Sequence, residues 1–143
     1  MSGSGTITTS AVGDNKNVTN VNLTLSDNSG SAANYILNGT LEINVTERPV
    51  VISGSKVYDG NTTVDGSSLT TFSNLVGSET LSVSGSGSVS SSNVGAGKTV
   101  TLGTLALANG TGSASNYSIS SANFDITQRP LTLVGSKIYD GNT

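Results

Sequence analysis

Apolar and polar residues alternate in four short runs of the chain, which is the pattern of half-buried β-strands. In each run every second residue is apolar, and mostly polar side chains lie between them. Successive side chains of a strand point to opposite faces of a sheet, so each run places its apolar residues on one face. The four predicted strands are VNLTL (21–25), LEINV (41–45), TLSVSG (80–85) and ANFDI (122–126).

The segments between these runs carry turn signals. Three dipeptides tolerate positive φ and predict turns, namely Asn38-Gly39, Asp65-Gly66 and Asn109-Gly110. No long run has helical periodicity, and LTTFSNLVG (69–77) is the best candidate for one short helical turn. The pattern predicts an all-β fold made of small antiparallel β-sandwiches, either immunoglobulin-like or grasp-like.

The sequence repeats itself with a period of about 81 residues. Residues 47–62 (ERPVVISGSKVYDGNT) and 128–143 (QRPLTLVGSKIYDGNT) are identical at ten of 16 positions, at an offset of 81. The other matching pairs, at an offset of 82, are 2–18 with 84–100 and 31–35 with 113–117. A period of this length is typical of an array of small domains and is too long for a solenoid coil.

The period divides the chain into three parts. We expect residues 1–46 to be the C-terminal part of one repeat unit, residues 47–127 a complete unit, and residues 128–143 the opening strand of the next. Three apolar residues of the last part are predicted to pack on the preceding unit: Leu131, Leu133 and Tyr139.

The composition narrows the classes of function. Charged residues make up 10% of the chain and the net charge is −3, which gives no basis for binding nucleic acid or an anionic membrane. No apolar stretch is long enough to cross a bilayer, so we expect no membrane insertion. Cys and His are absent, which excludes disulfides and His-dependent triads. We therefore expect a protein that is not an enzyme and needs no cofactor.

Arg48-Pro49 and its copy Arg129-Pro130 each precede a strand-like segment. Pro has no N–H to donate to a neighbouring strand, so it belongs at the start or at the edge of one. We interpret Arg-Pro as the boundary where the last strand of one unit passes to the next. An Arg that anchors a carboxylate or a phosphate is the alternative.

The repeated nonapeptide GSKVYDGNT (54–62) is interpreted as a strand that runs into an Asp-Gly turn. Gly60 supplies an unusual backbone angle, Asp59 hydrogen-bonds to neighbouring backbone groups, and Tyr58 offers an apolar ring with a polar tip. Sugar binding through Tyr58 and Asp59 is an alternative for the same residues.

Two further alternatives involve the same segment. Asp59, Asn61 and Asp65 are candidate calcium ligands, because their side-chain oxygens recur at alternating positions. Lys56 or Lys98 is a candidate for a Lys-Asn or Lys-Asp isopeptide crosslink, which would require a buried acid beside the ammonium group.

Together the repeated residues resemble the YDG-type repeat domain, which is related to the MBG repeats of large bacterial surface adhesins. Three sequence elements carry the resemblance. They are Arg48, Pro49, Lys56, Tyr58, Asp59 and Gly60 with their copies Arg129, Pro130, Lys137, Tyr139, Asp140 and Gly141; then Asn93, Val94, Gly95, Gly97 and Lys98; then Asn116 and Tyr117. The first copy departs from the second element, since Ala11 stands in the place of Asn93, and Asp14-Asn15 in that of Ala96-Gly97.

The resemblance implies a module of a long, repetitive, secreted protein similar to the filamentous-haemagglutinin-like adhesins. It implies a structural role in the stalk or fibre of the adhesin, outside the cell or at the bacterial surface. Neighbouring repeat units of the same protein would then be its partners. The alternative is a module that itself binds host glycans or matrix proteins.

Overall fold

The computed structural model describes residues 1–143, of which 48% lie in β-strands. Helical structure is limited to three single 3-10 turns, so the fold is mostly β as predicted. The turns are Ala32–Asn34, Gly66–Ser68 and Ala114–Asn116. The strands are β1 Ser2–Ile7, β2 Gly13–Thr24, β3 Glu42–Val45, β4 Arg48–Val57, β5 Thr63–Asp65, β6 Thr71–Ser73, β7 Leu81–Ser84, β8 Ser86–Val89, β9 Gly95–Thr101, β10 Ala106–Asn109 and β11 Tyr117–Thr127.

The alternating runs are confirmed as strands. Each of the four lies at least partly in a strand, in β2, β3, β7 and β11 respectively. In β7 and β11 the alternation also predicts the buried face correctly. Within these two runs the buried residues are Leu81, Val83, Ala122, Phe124 and Ile126.

The helical turn predicted at 69–77 is wrong. This segment contains β6, in which Phe72 pairs with Ile52 of β4, and the nearest 3-10 turn lies before it at Gly66–Ser68. Leu69 is buried and Phe72 packs against the core. Pairing with β4 has overridden the threefold spacing of apolar residues, which is a weak signal in so short a segment.

The largest sheet has the strand order β5-β8-β9-β11-β4-β6. Its neighbours are antiparallel except β4 and β11, which run parallel from Arg48 opposite Tyr117 to Val57 opposite Thr127. The expectation of a purely antiparallel arrangement is therefore corrected. Two parallel strands must be joined by a long crossover connection. Here that connection is the chain from the end of β4 to the start of β11, which is most of the unit. A separate two-stranded sheet is formed by β7 and β10.

The core is one cluster of 13 buried apolar residues, all between Val50 and Ile126. Val50 and Ile52 of β4 and Phe124 of β11 have no solvent exposure. Each such side chain contributes about 1.5–3 kcal/mol by leaving water. The two parallel strands therefore supply the most completely buried part of the core.

Residues 1–46 form a three-stranded sheet of their own, in the order β1-β2-β3. Its pairing has the same register as that of β8, β9 and β11, at the offset seen in the sequence. Equivalent pairs are Ile7–Val18 with Val89–Val100, and Lys16–Ile43 with Lys98–Phe124. Ile43 is nevertheless 42% exposed. The apolar face is open because β4–β7 do not lie against this sheet.

Residues 128–143 form no strand. Leu131, Leu133 and Tyr139 are 85%, 95% and 94% exposed, so the prediction that they pack on the preceding unit is wrong. The equivalent strand β4 is buried because it lies between β11 and β6. No counterpart of either strand lies beside residues 128–143.

Gly54→Ala and Gly135→Ala change the same position of the two copies and should differ in effect. A Cβ on Gly54 would lie 1.9 Å from the backbone oxygen of Ser68, whereas a Cβ on Gly135 meets nothing within 4 Å. Because the Cβ is fixed rigidly to the main chain and the atom it meets is itself backbone, Gly54→Ala should lower the free energy of unfolding by about 1–3 kcal/mol or more. Gly135→Ala should change it by less than about 0.5 kcal/mol. Urea denaturation followed by circular dichroism measures both, and equal effects would contradict the packing described here.

Candidate functional site

The loop after β4 folds around the ammonium group of Lys56. Lys56 Nζ donates to the backbone oxygen of Asn61 at 3.0 Å, to Asn61 Oδ1 at 2.9 Å and to the backbone oxygen of Thr63 at 2.8 Å. It also forms an ion pair with Asp59, 3.0 Å from Oδ1. The Lys56 side chain is only 16% exposed, so protein oxygens take the place of much of its water.

Asp59 and Gly60 make the turn that brings these oxygens together. Gly60 has a φ of +83°, which residues with a Cβ rarely adopt. Asp59 Oδ1 accepts a hydrogen bond from the Asn61 N–H at 3.0 Å, and Asn61 Oδ1 accepts one from the Thr63 N–H at 3.1 Å. These are the local side-chain bonds typical of Asp and Asn in turns, as the sequence predicted.

The charge of Asp59 is favoured by this geometry. The hydrogen bond from the Asn61 N–H, reinforced by Lys56, holds the pKa of the Asp59 carboxyl below its usual range. Because the pKa is lower in the folded state, the ionised carboxylate stabilises the fold above the ordinary pKa of Asp. That contribution is lost as the pH falls through the folded-state pKa.

The second copy forms the same loop although no strand packs beside it. Lys137 Nζ lies 2.8 Å from Asp140 Oδ1 and donates to the backbone oxygen of Asn142 at 2.8 Å. Gly141 has a φ of +79°. Lys137 and the Asn142 N–H lower the pKa of Asp140. The Lys137 and Asp140 side chains are 53% and 52% exposed, so the local sequence is sufficient to form this loop.

The structure brings together two of the three candidate calcium ligands. Asp59 and Asn61 share the loop, but their oxygens bind Lys56 Nζ, and Asp65 lies in β5 outside the cluster. The ammonium group occupies the position that a calcium ion would need. No group of three or more His, Cys, Asp or Glu side chains that could hold a metal ion occurs in the structure.

The other two alternatives use residues that the structure places less favourably. The only two ion pairs are Lys56–Asp59 and Lys137–Asp140, so Lys98 is not paired with the acid that an isopeptide bond would need. Lys56 does have one, but the Asp59 side chain is 40% exposed, not buried. Tyr58, the aromatic part of the sugar hypothesis, is 39% exposed at the end of β4.

Arg48 is held at the start of β4, shortly after the end of β3. Its Nε donates to the backbone oxygen of Asn74 at 2.7 Å, and its Nη2 donates to Asn74 Oδ1 at 2.7 Å. Asn74 Nδ2 in turn donates to the backbone oxygen of Pro49 at 2.8 Å. The guanidinium group thus binds an amide, where the alternative hypothesis placed a carboxylate or a phosphate. Arg129 and Pro130 are exposed and lie outside any strand.

The Asn-Tyr element supplies the buried phenol of Tyr117. Its hydroxyl donates to Glu79 Oε2 and accepts a hydrogen bond from the Val76 N–H at 3.2 Å. The bond to Glu79 raises the pKa of Tyr117 above its ordinary value, so this contribution to stability is lost as the pH rises through the folded-state pKa. Tyr35, at the same position of the first copy, is 70% exposed because no counterpart of Glu79 lies beside it.

Sequence analysis missed Asn74 and Glu79. Asn74 has a φ of +69°, but it precedes Leu75 and not Gly, so no turn dipeptide marks it. Glu79 lies 38 residues from its partner Tyr117. A side-chain contact over that separation leaves no trace in a local pattern.

These features define a small β-rich domain whose repeated motifs build a turn, a strand junction and a buried phenol. A comparison with protein families matches residues 42–124 to the YDG domain. The match covers more than half of the chain, and the chain belongs to the YDG domain family. Comparisons with curated proteins and with solved structures gave no match. None of the helical turns is long and apolar enough to cross a membrane.

Lys56→Met retains an unbranched apolar side chain and removes the ammonium group, so several loop oxygens lose their donor. The complete unit should then melt at a lower temperature. The pKa of Asp59 should rise only part of the way to its ordinary value, because the bond from the Asn61 N–H remains. Thermal unfolding and carboxyl NMR titration measure these changes.

The matched control is Lys137→Met, in the exposed copy of the loop. Its melting temperature should equal that of the unchanged protein, since surface ion pairs contribute little. A Lys56→Met protein that melts like the Lys137→Met protein would show that the bonds to Lys56 do not stabilise the unit.

Proposed function

We propose that this chain is a non-enzymatic structural segment built of tandem YDG units of about 81 residues. It serves in the stalk or fibre of a secreted bacterial surface adhesin. The sequence period and the equal strand registers of β1-β2-β3 and β8-β9-β11 support the tandem arrangement. The resemblance of the repeated motifs to adhesin repeats supports the location.

A contact between successive parts of the chain supports a role for neighbouring units as partners. The Val12 N–H donates to Asn116 Oδ1 at 2.9 Å, across 104 residues of sequence. Both residues belong to repeated elements, because Val12 matches Val94 and Asn116 matches Asn34 at the offset of 82. Successive units of an array can therefore make the same bond.

The parallel pairing of β4 and β11 is the observation that carries the proposal. The chain enters the complete unit at Arg48, opposite Tyr117, and leaves it at Thr127, opposite Val57. Ten residues of strand place these two points about 30 Å apart, at opposite ends of the pair. Each unit therefore advances the chain along one direction, as a fibre requires.

The same geometry determines how the unit bears tension. Pulling on the two ends of the chain slides β4 along β11, so the hydrogen bonds of the ladder are loaded together. An antiparallel pair pulled from one end would instead open bond by bond. Loading in shear suits a spacer that must stay folded while it transmits force to a binding partner.

The alternative, a glycan-binding module, has less support. A groove of about 460 Å³ over β4, β6 and β11 is lined only by Ser, Gly, Thr, Asn and Asp residues. Asp125, its one charged group, accepts a hydrogen bond from the Gly97 N–H at 2.6 Å. No aromatic ring lines the groove for a sugar to stack on.

Single-molecule force spectroscopy in two pulling geometries tests the mechanical role. The protein has no native Cys, so handles can be attached at introduced ones. Glu47→Cys with Gln128→Cys loads the β4–β11 pair in shear, and Tyr58→Cys with Gln128→Cys pulls it open from one end. The shear geometry should require a clearly higher unfolding force. Equal, low forces in both geometries would contradict the proposed role in a stalk.

A further inference from the structure

The ladder between β4 and β11 is interrupted near its first residues. Only three residue pairs, from Arg48 opposite Tyr117 up to Val50, precede the point where the register shifts. Ser120 is the extra residue at this bulge, and its hydroxyl donates to the backbone oxygen of Val50 at 2.9 Å. Pro49, in the middle of the three, has no N–H to donate to a neighbouring strand. This end of the pair therefore has fewer main-chain bonds than a regular ladder of the same length.

The same end is loaded directly when the unit is under tension. Arg48 is the first residue of β4, so force that enters from the preceding chain reaches it before any other residue of the pair. Tyr117, directly opposite, is the first residue of β11, and shear moves Arg48 away from it. Resistance to shear at this end requires that these two residues stay together.

Residues 74–79 connect β6 to β7 and contact β4 at this end. Arg48 Nε and Nη2 donate to the backbone oxygen and to Oδ1 of Asn74, each at 2.7 Å. Asn74 Nδ2 donates back to the backbone oxygen of Pro49 at 2.8 Å. Two oxygens of one residue thus bind two nitrogens of the guanidinium group, whose planar shape fixes their direction.

The same segment contacts β11 through the Tyr117 hydroxyl. This hydroxyl donates to Glu79 Oε2 and accepts a hydrogen bond from the Val76 N–H at 3.2 Å. Tyr117 is 5% exposed, so water cannot easily take the place of these partners. One short segment therefore binds both the first residue of β4 and the first residue of β11.

The segment between the two contacts is itself fixed. Asn74 and Gly77 have φ values of +69° and +54°, and the Glu79 N–H donates to the backbone oxygen of Val76 at 3.0 Å, which closes a turn. Leu75 packs against the core. Because the turn is closed and Leu75 is anchored, the segment cannot lengthen without breaking these contacts.

We propose that residues 74–79 form a clamp between β4 and β11, which ties Arg48 to Tyr117 and determines the force at which the unit unfolds in shear. The clamp compensates for the bonds that Pro49 and the bulge at Ser120 remove from the ladder. Sliding of β4 along β11 has to break the bonds to Arg48 or those to Tyr117 before the strands separate. The inference rests on the load-bearing role given under the proposed function.

Two variants each release one side of the clamp. Arg48→Met retains an unbranched side chain and removes the guanidinium group, whereas Tyr117→Phe retains the buried ring and removes the hydroxyl. The unfolding rate at constant force is measured between Glu47→Cys and Gln128→Cys, which load the pair in shear. Each variant should unfold about 10-fold faster than the unchanged protein, since each loses hydrogen bonds that include a charged group.

The double variant distinguishes a clamp from two independent anchors. In a clamp the two contacts act in series, so the loss of either one already frees the strands from each other. Arg48→Met with Tyr117→Phe should therefore unfold about as fast as the faster single variant. Rates that multiply, to about 100-fold, would show two independent anchors and overturn the inference.

The controls are a second pulling geometry and a matched substitution. Between Tyr58→Cys and Gln128→Cys the pair opens from its far end while the clamp is still intact, so each variant should change the rate by less than about twofold. Lys98→Met replaces a cation of β9 that forms no ion pair, and it should unfold like the unchanged protein in both geometries. A clamp variant that unfolds faster by the same factor in both geometries is only less stable and overturns the inference.

The clamp and the proposed function give different results when they fail. An unchanged protein that unfolds at equal, low force in both geometries refutes the load-bearing role, and the clamp with it. An unchanged protein that resists shear, with clamp variants that unfold at the same rate as it does, refutes only the clamp.

Discussion

Ten residues of β4 lie in parallel beside β11, and nearly everything between them in sequence is the crossover that joins the two strands. The pair supplies Val50, Ile52 and Phe124, three of the four core side chains with no exposure to solvent. Because β4 opens the unit and β11 closes it, the core is complete only when both ends of the unit are present. Contacts of such long sequence separation make the unit cooperative and its folding dependent on the whole segment.

The repeated sequence encodes two kinds of structure. Comparing matching residues in the different copies distinguishes the local kind from the kind that depends on packing. The loop around Lys56 forms again around Lys137 without any strand beside it, because every bond in it joins residues a few positions apart. The apolar positions behave differently. Ile43 and Leu133 match the fully buried Phe124 and Ile52, yet they are exposed because no equivalent partner strands lie beside them. The motif therefore encodes a turn by itself but a core only in a complete unit.

The sequence predicted what depends on short-range pattern. Alternation identified β3 and β11 as strands, and the Pro of Arg48-Pro49 marked the start of β4. Alternation tells which face of a strand is buried but not which strand lies beside it, so the parallel pairing was not predicted. For the same reason the packing of Leu131 was predicted wrongly. The oxygens of Asp59 and Asn61 suggested a metal ion, whereas the cation they bind is Lys56, which precedes them in the same nonapeptide.

Native-state hydrogen exchange, followed residue by residue by NMR, tests the central role of the parallel pair most directly. Amides of β4 and β11 should exchange only through global unfolding and be the slowest in the chain. Amides of β3, which has the same register with β2 but no strand on its other side, should exchange much faster. Equal protection of β3 and β11, or faster exchange in β4 than in β8 and β9, would contradict the account.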